Sequence, residues 1–129
     1  MSVRWRRVLL AALFVELIPV ALLGLLTVFG PSEREAARAF AETAGRWVGP
    51  LGAAIMAFVM ARWAVRPLVD RQLLHGFLVG AVAAALNVGI VVLAEAPFEW
   101  LFVASNAGRV VAGMLGALAA IRSRWLVVA

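Results

Sequence analysis

The chain has no cysteine, no tyrosine and no lysine. Without cysteine it has no disulfide framework, no thiolate metal site and no thiol nucleophile. Charge is sparse: 15% of residues are charged, against about a quarter in ordinary soluble domains. Sites of known chemistry are missing as well. There is no H-E-x-x-H, no glycine-rich phosphate loop and no carboxylate cluster, and Ser105 is expected at a different depth from the single histidine, His75. No metal site and no cofactor are implied, and an enzyme is the least favoured class.

What the chain does have is apolar sequence. Its 129 residues, the length of one domain, are 65% hydrophobic. The mean hydropathy of +1.01 lies outside the range of soluble globular chains. The net charge of +5 does not point to nucleic acid, because the arginines sit beside the apolar runs, where orientation signals belong.

Four runs are long enough to cross a bilayer as helices, covering approximately residues 8–29, 47–65, 73–94 and 100–121. Helices are required because an open strand leaves backbone groups unpaired in lipid. The expected fold is all-α: one domain, residues 1–129, forming a polytopic four-helix bundle. Arg4, Arg6, Arg7, Arg62, Arg66, Arg71, Arg122 and Arg124 all fall on one side of four crossings. On the other side, Arg34, Arg38 and Arg46 are offset by Glu33, Glu35 and Glu42, with Glu95 and Glu99 nearby. The positive-inside rule then places both termini in the cytoplasm and the protein in a plasma or inner membrane, in one orientation. The first run is read as a retained span rather than a signal peptide. It is too long for an h-region, it contains Glu16, and no small-residue cleavage site follows promptly.

The first external loop reads as a short amphipathic helix over residues 32–46 lying on the membrane surface. Ser32 with Glu35 forms a capping box, Ala36, Phe40, Ala44 and Trp47 share a face, and Arg38–Glu42 and Glu42–Arg46 are spaced to pair. Lipid tails are as apolar as leucine, so packing must come from small residues that let backbones approach. Such stripes are Ala104, Gly108, Ala112, Gly116 and Ala120 in span four, and Gly49, Ala53, Ala57 and Ala61 in span two. Span three has Gly76, Gly80 and Ala84, with Ala81, Ala85 and Gly89 beside them. Span one is bulkier and is expected to face more lipid. Spare stripes make a parallel homo-oligomer or a membrane-protein partner plausible.

Two charges break the apolar pattern. A charged residue at the bilayer centre costs about 2.5–3.5 kcal/mol on insertion scales, so it usually faces the protein interior or water. By helical rise Glu16 lies about 13 Å, and Arg109 about 20 Å, from the arginine-rich end. An arginine side chain can span that difference, so Glu16 and Arg109 are expected to pair. Asn106 and Asn87 are placed to satisfy their remaining donors and acceptors. Pro19, lacking an N–H, is a kink candidate that frees the Val15 carbonyl beside Glu16. His75 reads as an interfacial residue without a special role, Asp70 with Arg66 or Arg71 as a solvated surface charge group, and Trp5, Trp47, Trp63, Trp100 and Trp125 as membrane-interface anchors.

Four short spans with a glutamate in the first resemble the small multidrug exporters in layout alone. The orientation bias, the charged external helix and Arg109 depart from that pattern, so no residue role is carried over. Two readings stay open. One is a small transporter or channel for an ion or solute, with Glu16 and Arg109 as the responsive element. The other is a non-catalytic membrane subunit or assembly protein in which the same pair is a structural clamp.

Overall fold

The structure, a computed structural model, describes residues 2–128, with side chains through Arg124. Four helices form a bundle: α1 (Trp5–Val28), α2 (Arg34–Val65), α3 (Gln72–Leu93) and α4 (Trp100–Val128). All four are long and apolar enough to cross a membrane. The chain termini and the α2–α3 connection lie at one end, the terminal end. The α1–α2 and α3–α4 connections lie at the other, the loop end.

Helices α2 and α3 form the central pair, and each touches both α1 and α4. Among the described residues α1 and α4 have no close backbone approach, so they occupy opposite corners. The interior is built from small side chains. Val8, Ala11, Ala12 and Val15 of α1 meet Ala53, Ala57, Ala61 and Ala64 of α2 and Val79 and Ala83 of α3. The largest fully buried side chains are valines. Leucine and phenylalanine point outward, as at Leu13, Phe14, Leu17, Leu51, Phe77 and Leu115. This inversion of the water-soluble pattern is what a hydrocarbon solvent permits, since exposing leucine to lipid costs nothing.

The residues expected to form a separate surface helix instead open α2, which runs unbroken for 32 residues. At 1.5 Å per residue it is about 48 Å long, against a hydrocarbon core of about 30 Å. Gly45, Gly49 and Pro50 do not break it, because a helical proline costs its helix one hydrogen bond and neighbouring helices hold the rest in place. The capping box also fails: the N-cap is Glu33 and makes no side-chain capping bond. Arg38 pairs with Glu42 at 3.0 Å as expected, but Arg46 turns to Glu99 at 3.3 Å instead of Glu42. Helix α1 likewise continues through Pro19, which is buried against Gly52 of α2.

Close backbone contact occurs along only part of the expected stripes. Ala53, Ala57 and Ala61 are fully buried. Gly76 sits against Gly113 and Ala117, Gly80 against the Arg109 carbonyl and Val110, and Gly116 against the Phe58 backbone. Gly108, expected at the same seam, faces open space, as do Gly49 and Gly89. Ala112 is half-buried beside the core and Ala104 is exposed. An exact four-residue repeat advances about 40° per step around a helix with 3.6 residues per turn. It therefore drifts out of the interface after about three members, as Ala53, Ala57 and Ala61 show. The observed α4 seam is Arg109, Gly113, Gly116, Ala117 and Ala120, a mixture of three- and four-residue steps.

The terminal end is tied by polar side chains capping the end of α2. Arg7 Nη2 donates to the Trp63 carbonyl at 3.1 Å and its guanidinium lies over the Trp63 ring, 4.2 Å from the centroid. Gln72 Nε2 and Arg124 Nη1 donate to the Leu68 carbonyl at 2.7 and 2.6 Å. Helix C-termini leave carbonyls unpaired, and cationic donors suit them by charge as well.

Candidate functional site

Arg62 and His75 lie near the terminal-end edges of the second and third apolar runs; away from the ends of the four runs only two side chains are ionisable, Glu16 and Arg109. The structure brings them together. Arg109 Nε donates to Glu16 Oε1 at 2.6 Å and Nη2 donates to Oε2 at 3.2 Å. Both carboxylate oxygens are thus engaged by two N–H groups on one edge of the guanidinium, a fork only arginine can supply. The residues are 8% and 4% exposed. Since α1 and α4 are not backbone neighbours, the length of the arginine side chain makes the contact. The neighbouring backbones are thin where it crosses: Gly52 of α2 abuts Pro19, one turn from Glu16, and Gly80 of α3 abuts the Arg109 carbonyl. With fewer small residues here, the four helices would stand too far apart for one side chain to bridge.

The remaining partners differ from those expected. Arg109 Nη1 donates to Ser105 Oγ, one helical turn toward the loop end. Asn87 and Asn106 bond instead to each other, Nδ2 of Asn87 donating to Oδ1 of Asn106 at 3.2 Å. The Asn106 amide then donates to the Phe102 carbonyl at 2.9 Å. The reason is azimuthal. Around the helix Ser105 lies about 40° to one side of Arg109 and Asn106 about 60° to the other, the side on which it meets Asn87 of α3. That four-residue spacing was a readable signal for Ser105. Arg109 makes its bonds to Glu16 and Ser105, and the Val15 carbonyl freed by Pro19 is not among its partners.

An open groove of about 260 Å³ lies at the loop end, and Arg109, Ser105 and Asn87 line it. Its α2 wall is Gly45, Arg46, Gly49 and Pro50, and Pro97, Leu101 and Phe102 form an apolar side. The exposed Arg46–Glu99 ion pair stands at its rim. Glu16 is not part of the lining, so the loop-end cavity reaches the base of the pair and not the acid.

Comparison with protein-family models, curated proteins and solved structures finds no match. The chemistry must therefore be read from the side chains.

A second cavity, of about 310 Å³, lies at the terminal end among Ser2, Arg4, Pro67, Leu68, Val69, Asp70, Arg71 and His75. His75, expected at the interface, is 3% exposed and holds the N-terminus in place. Its Nε2 accepts the Arg4 backbone N–H at 3.1 Å, which leaves Nδ1 to donate to the Arg71 carbonyl at 2.9 Å. Asp70 is exposed, as expected. Trp5, Trp47, Trp63 and Trp100 are exposed near the two ends of the bundle, where interface anchors belong. The side chain of Trp125 lies outside the described residues. Among the described residues no cluster of histidine, aspartate or glutamate fit to hold a metal is present.

Proposed function

We propose that this chain is a small integral membrane transporter or channel-like protein whose ion- or proton-responsive element is the Glu16–Arg109 pair. In this reading both termini lie in the cytoplasm and the cavity faces outward. One observation carries it: Arg109 is at once half of a buried ion pair and the floor of a cavity reached from one end of the bundle. A pure clamp gains nothing from such access, because water near the guanidinium weakens the pair it is meant to hold. Access to one partner alone, with the acid behind it, is the asymmetry a one-side-at-a-time binding element needs. Protonation of Glu16, or its displacement, frees the guanidinium for another anion. The protein in this reading is not an enzyme. The test is flux in liposomes of purified protein, comparing the wild type with Glu16→Gln. Ion, proton or solute movement that depends on Glu16 is expected. Absence of any such movement from correctly folded wild type would count decisively against transport.

A second reading has its own support. The two-pronged geometry and near-complete burial of the pair suit a clamp that sets helix register. The small residues Ala85, Gly89, Ala104 and Gly108 lie on partly or fully uncovered surface of α3 and α4, where a second copy or another membrane protein can approach. In this reading the chain is a non-catalytic membrane subunit. Recovery from native membranes with a stoichiometric partner, by crosslinking from Gly108→Cys, is expected if it is right. Recovery as a lone monomer would rule it out.

A further inference from the structure

We propose that the loop-end cavity is a binding site for a small, water-soluble carboxylate with a short apolar body. The proposal rests on the transport reading for its biological role, though the site itself stands on geometry.

The floor supplies cationic donors. A guanidinium has five N–H groups, of which Nε, one on Nη1 and one on Nη2 are used toward Glu16 and Ser105. One N–H on each terminal nitrogen remains free of Glu16 and Ser105, so the guanidinium keeps donors for an incoming carboxylate. Ser105 accepts from Arg109, so its own hydroxyl hydrogen is left to donate. Asn87 adds the second N–H of its amide. All three residues line the same cavity. At the rim the charges of Arg46 and Glu99 offset each other, as those of Glu16 and Arg109 do within, so net positive charge arises inside only when Glu16 is neutral or displaced.

The walls decide between kinds of anion. Pro97, Leu101 and Phe102 make one side apolar, and glycines at 45 and 49 leave room opposite. Halide or inorganic phosphate would leave those apolar surfaces facing water. A carboxylate with an apolar body covers them while its head reaches Arg109. The volume of about 260 Å³ falls below the roughly 300–1,000 Å³ of sites for drug-sized ligands, so the solute is small.

Glu16 competes for the same guanidinium from the opposite side. When Glu16 is ionised, Arg109 is already neutralised, and an arriving carboxylate adds an excess negative charge. When Glu16 is protonated, the arriving anion becomes the compensating charge. Anion binding and protonation of Glu16 therefore favour one another, and by linkage each strengthens the other equally. No other ionisable group interferes at this depth. Helix α2 has none between Arg46 and Arg62, α3 none between His75 and Glu95, α1 none between Arg7 and the end of the helix except Glu16, and α4 none between Trp100 and Arg122 except Arg109.

The experiment is calorimetric titration of the full chain in neutral-lipid nanodiscs with benzoate, using chloride and tetramethylammonium as controls. Benzoate is expected to bind, and chloride at least tenfold more weakly. Glu16→Gln, which removes the competing charge, is expected to bind benzoate at least tenfold more tightly. Gly49→Leu fills the cavity from a position where an added Cβ meets nothing within 4 Å. It is expected to lose at least tenfold in benzoate affinity with no fall in unfolding temperature. Equal binding by wild type and Gly49→Leu, or no benzoate binding by wild type and Glu16→Gln alike, overturns the site. Tighter binding of a long-chain fatty acid than of benzoate overturns the assignment to a soluble solute. Benzoate binding blocked by Gly49→Leu, in a protein without Glu16-dependent flux, retains the site and discards transport. Flux without benzoate binding does the reverse.

Discussion

Arg109 illustrates how a charge can persist inside an apolar bundle. Its three bonds to Glu16 and Ser105 replace hydration, and the cavity leaves its outer edge accessible. Removing one member of such a pair leaves an uncompensated buried charge, which costs about 3–5 kcal/mol, whereas replacing both with apolar residues is often close to neutral. Arg109→Leu alone is therefore expected to destabilise the protein by about that amount in micelle unfolding. Adding Glu16→Leu to Arg109→Leu should restore most of the loss. Additive losses in that double-mutant cycle would show that the two side chains do not act as a pair in solution. His75 makes a smaller contribution of the same kind. His75→Ala removes the acceptor for the Arg4 N–H, and a hydrogen bond of this type contributes about 1 kcal/mol. Proteolysis near Arg4 and Arg6 is expected to accelerate relative to cleavage elsewhere, and an unchanged rate would mean the contact does not hold the N-terminal segment.

At the scale of the helix, the seams distinguish glycines that carry packing from glycines that do not. A Cβ on Gly80 would lie 2.5 Å from the Arg109 carbonyl, backbone against backbone, so Gly80→Ala must push α3 and α4 apart. A Cβ on Gly108 meets nothing within 4 Å. Gly108→Ala is expected to be neutral or to stabilise by up to about 1 kcal/mol through helix propensity, while Gly80→Ala destabilises. Unfolding midpoints of the two variants should move in opposite directions or differ clearly, and equal behaviour would contradict the observed seam. Both glycines lie in stripes visible in the sequence. Their difference was hidden because stripe membership records spacing along the chain, while contact depends on the angle around the helix. Gly113, which meets Gly76, stands at four-residue spacing with Ser105, Arg109 and Ala117, a stripe whose small-residue character the arginine interrupts. The fusion of the loop helix with α2 has a related cause. Charged residues near Arg38 marked where apolar sequence ends, and that boundary is one of solvent, not of backbone hydrogen bonding.

For the whole molecule, orientation is the property that charge placement governs. The native chain has no cysteine, so single introduced cysteines report their side of the membrane without interference. Ser2→Cys and Ser123→Cys are expected to be protected from an impermeant thiol reagent in intact cells, and Ser32→Cys to react. Labelling of all three would point to dual orientation and remove the basis for an outward-facing cavity. The bundle itself holds together by close approach of small residues around the central α2–α3 pair, with α1 and α4 joined across it by one ion pair.

Much of this architecture follows from the order of residues alone. Where apolar sequence begins and ends sets the number of helices, and rise per residue sets the depth of each group, so depth alone puts Glu16 and Arg109 within reach of one another. Those are quantities measured along the helix axis. The tertiary structure decided what depends on rotation about that axis and on which helices are neighbours. It chose Ser105 over Asn106 as partner, Gly113 over Gly108 as contact, Glu99 over Glu42 for Arg46, and it set Arg109 in the lining of a loop-end groove. Hydropathy carries no angular reference to a neighbouring helix, and packing supplies one.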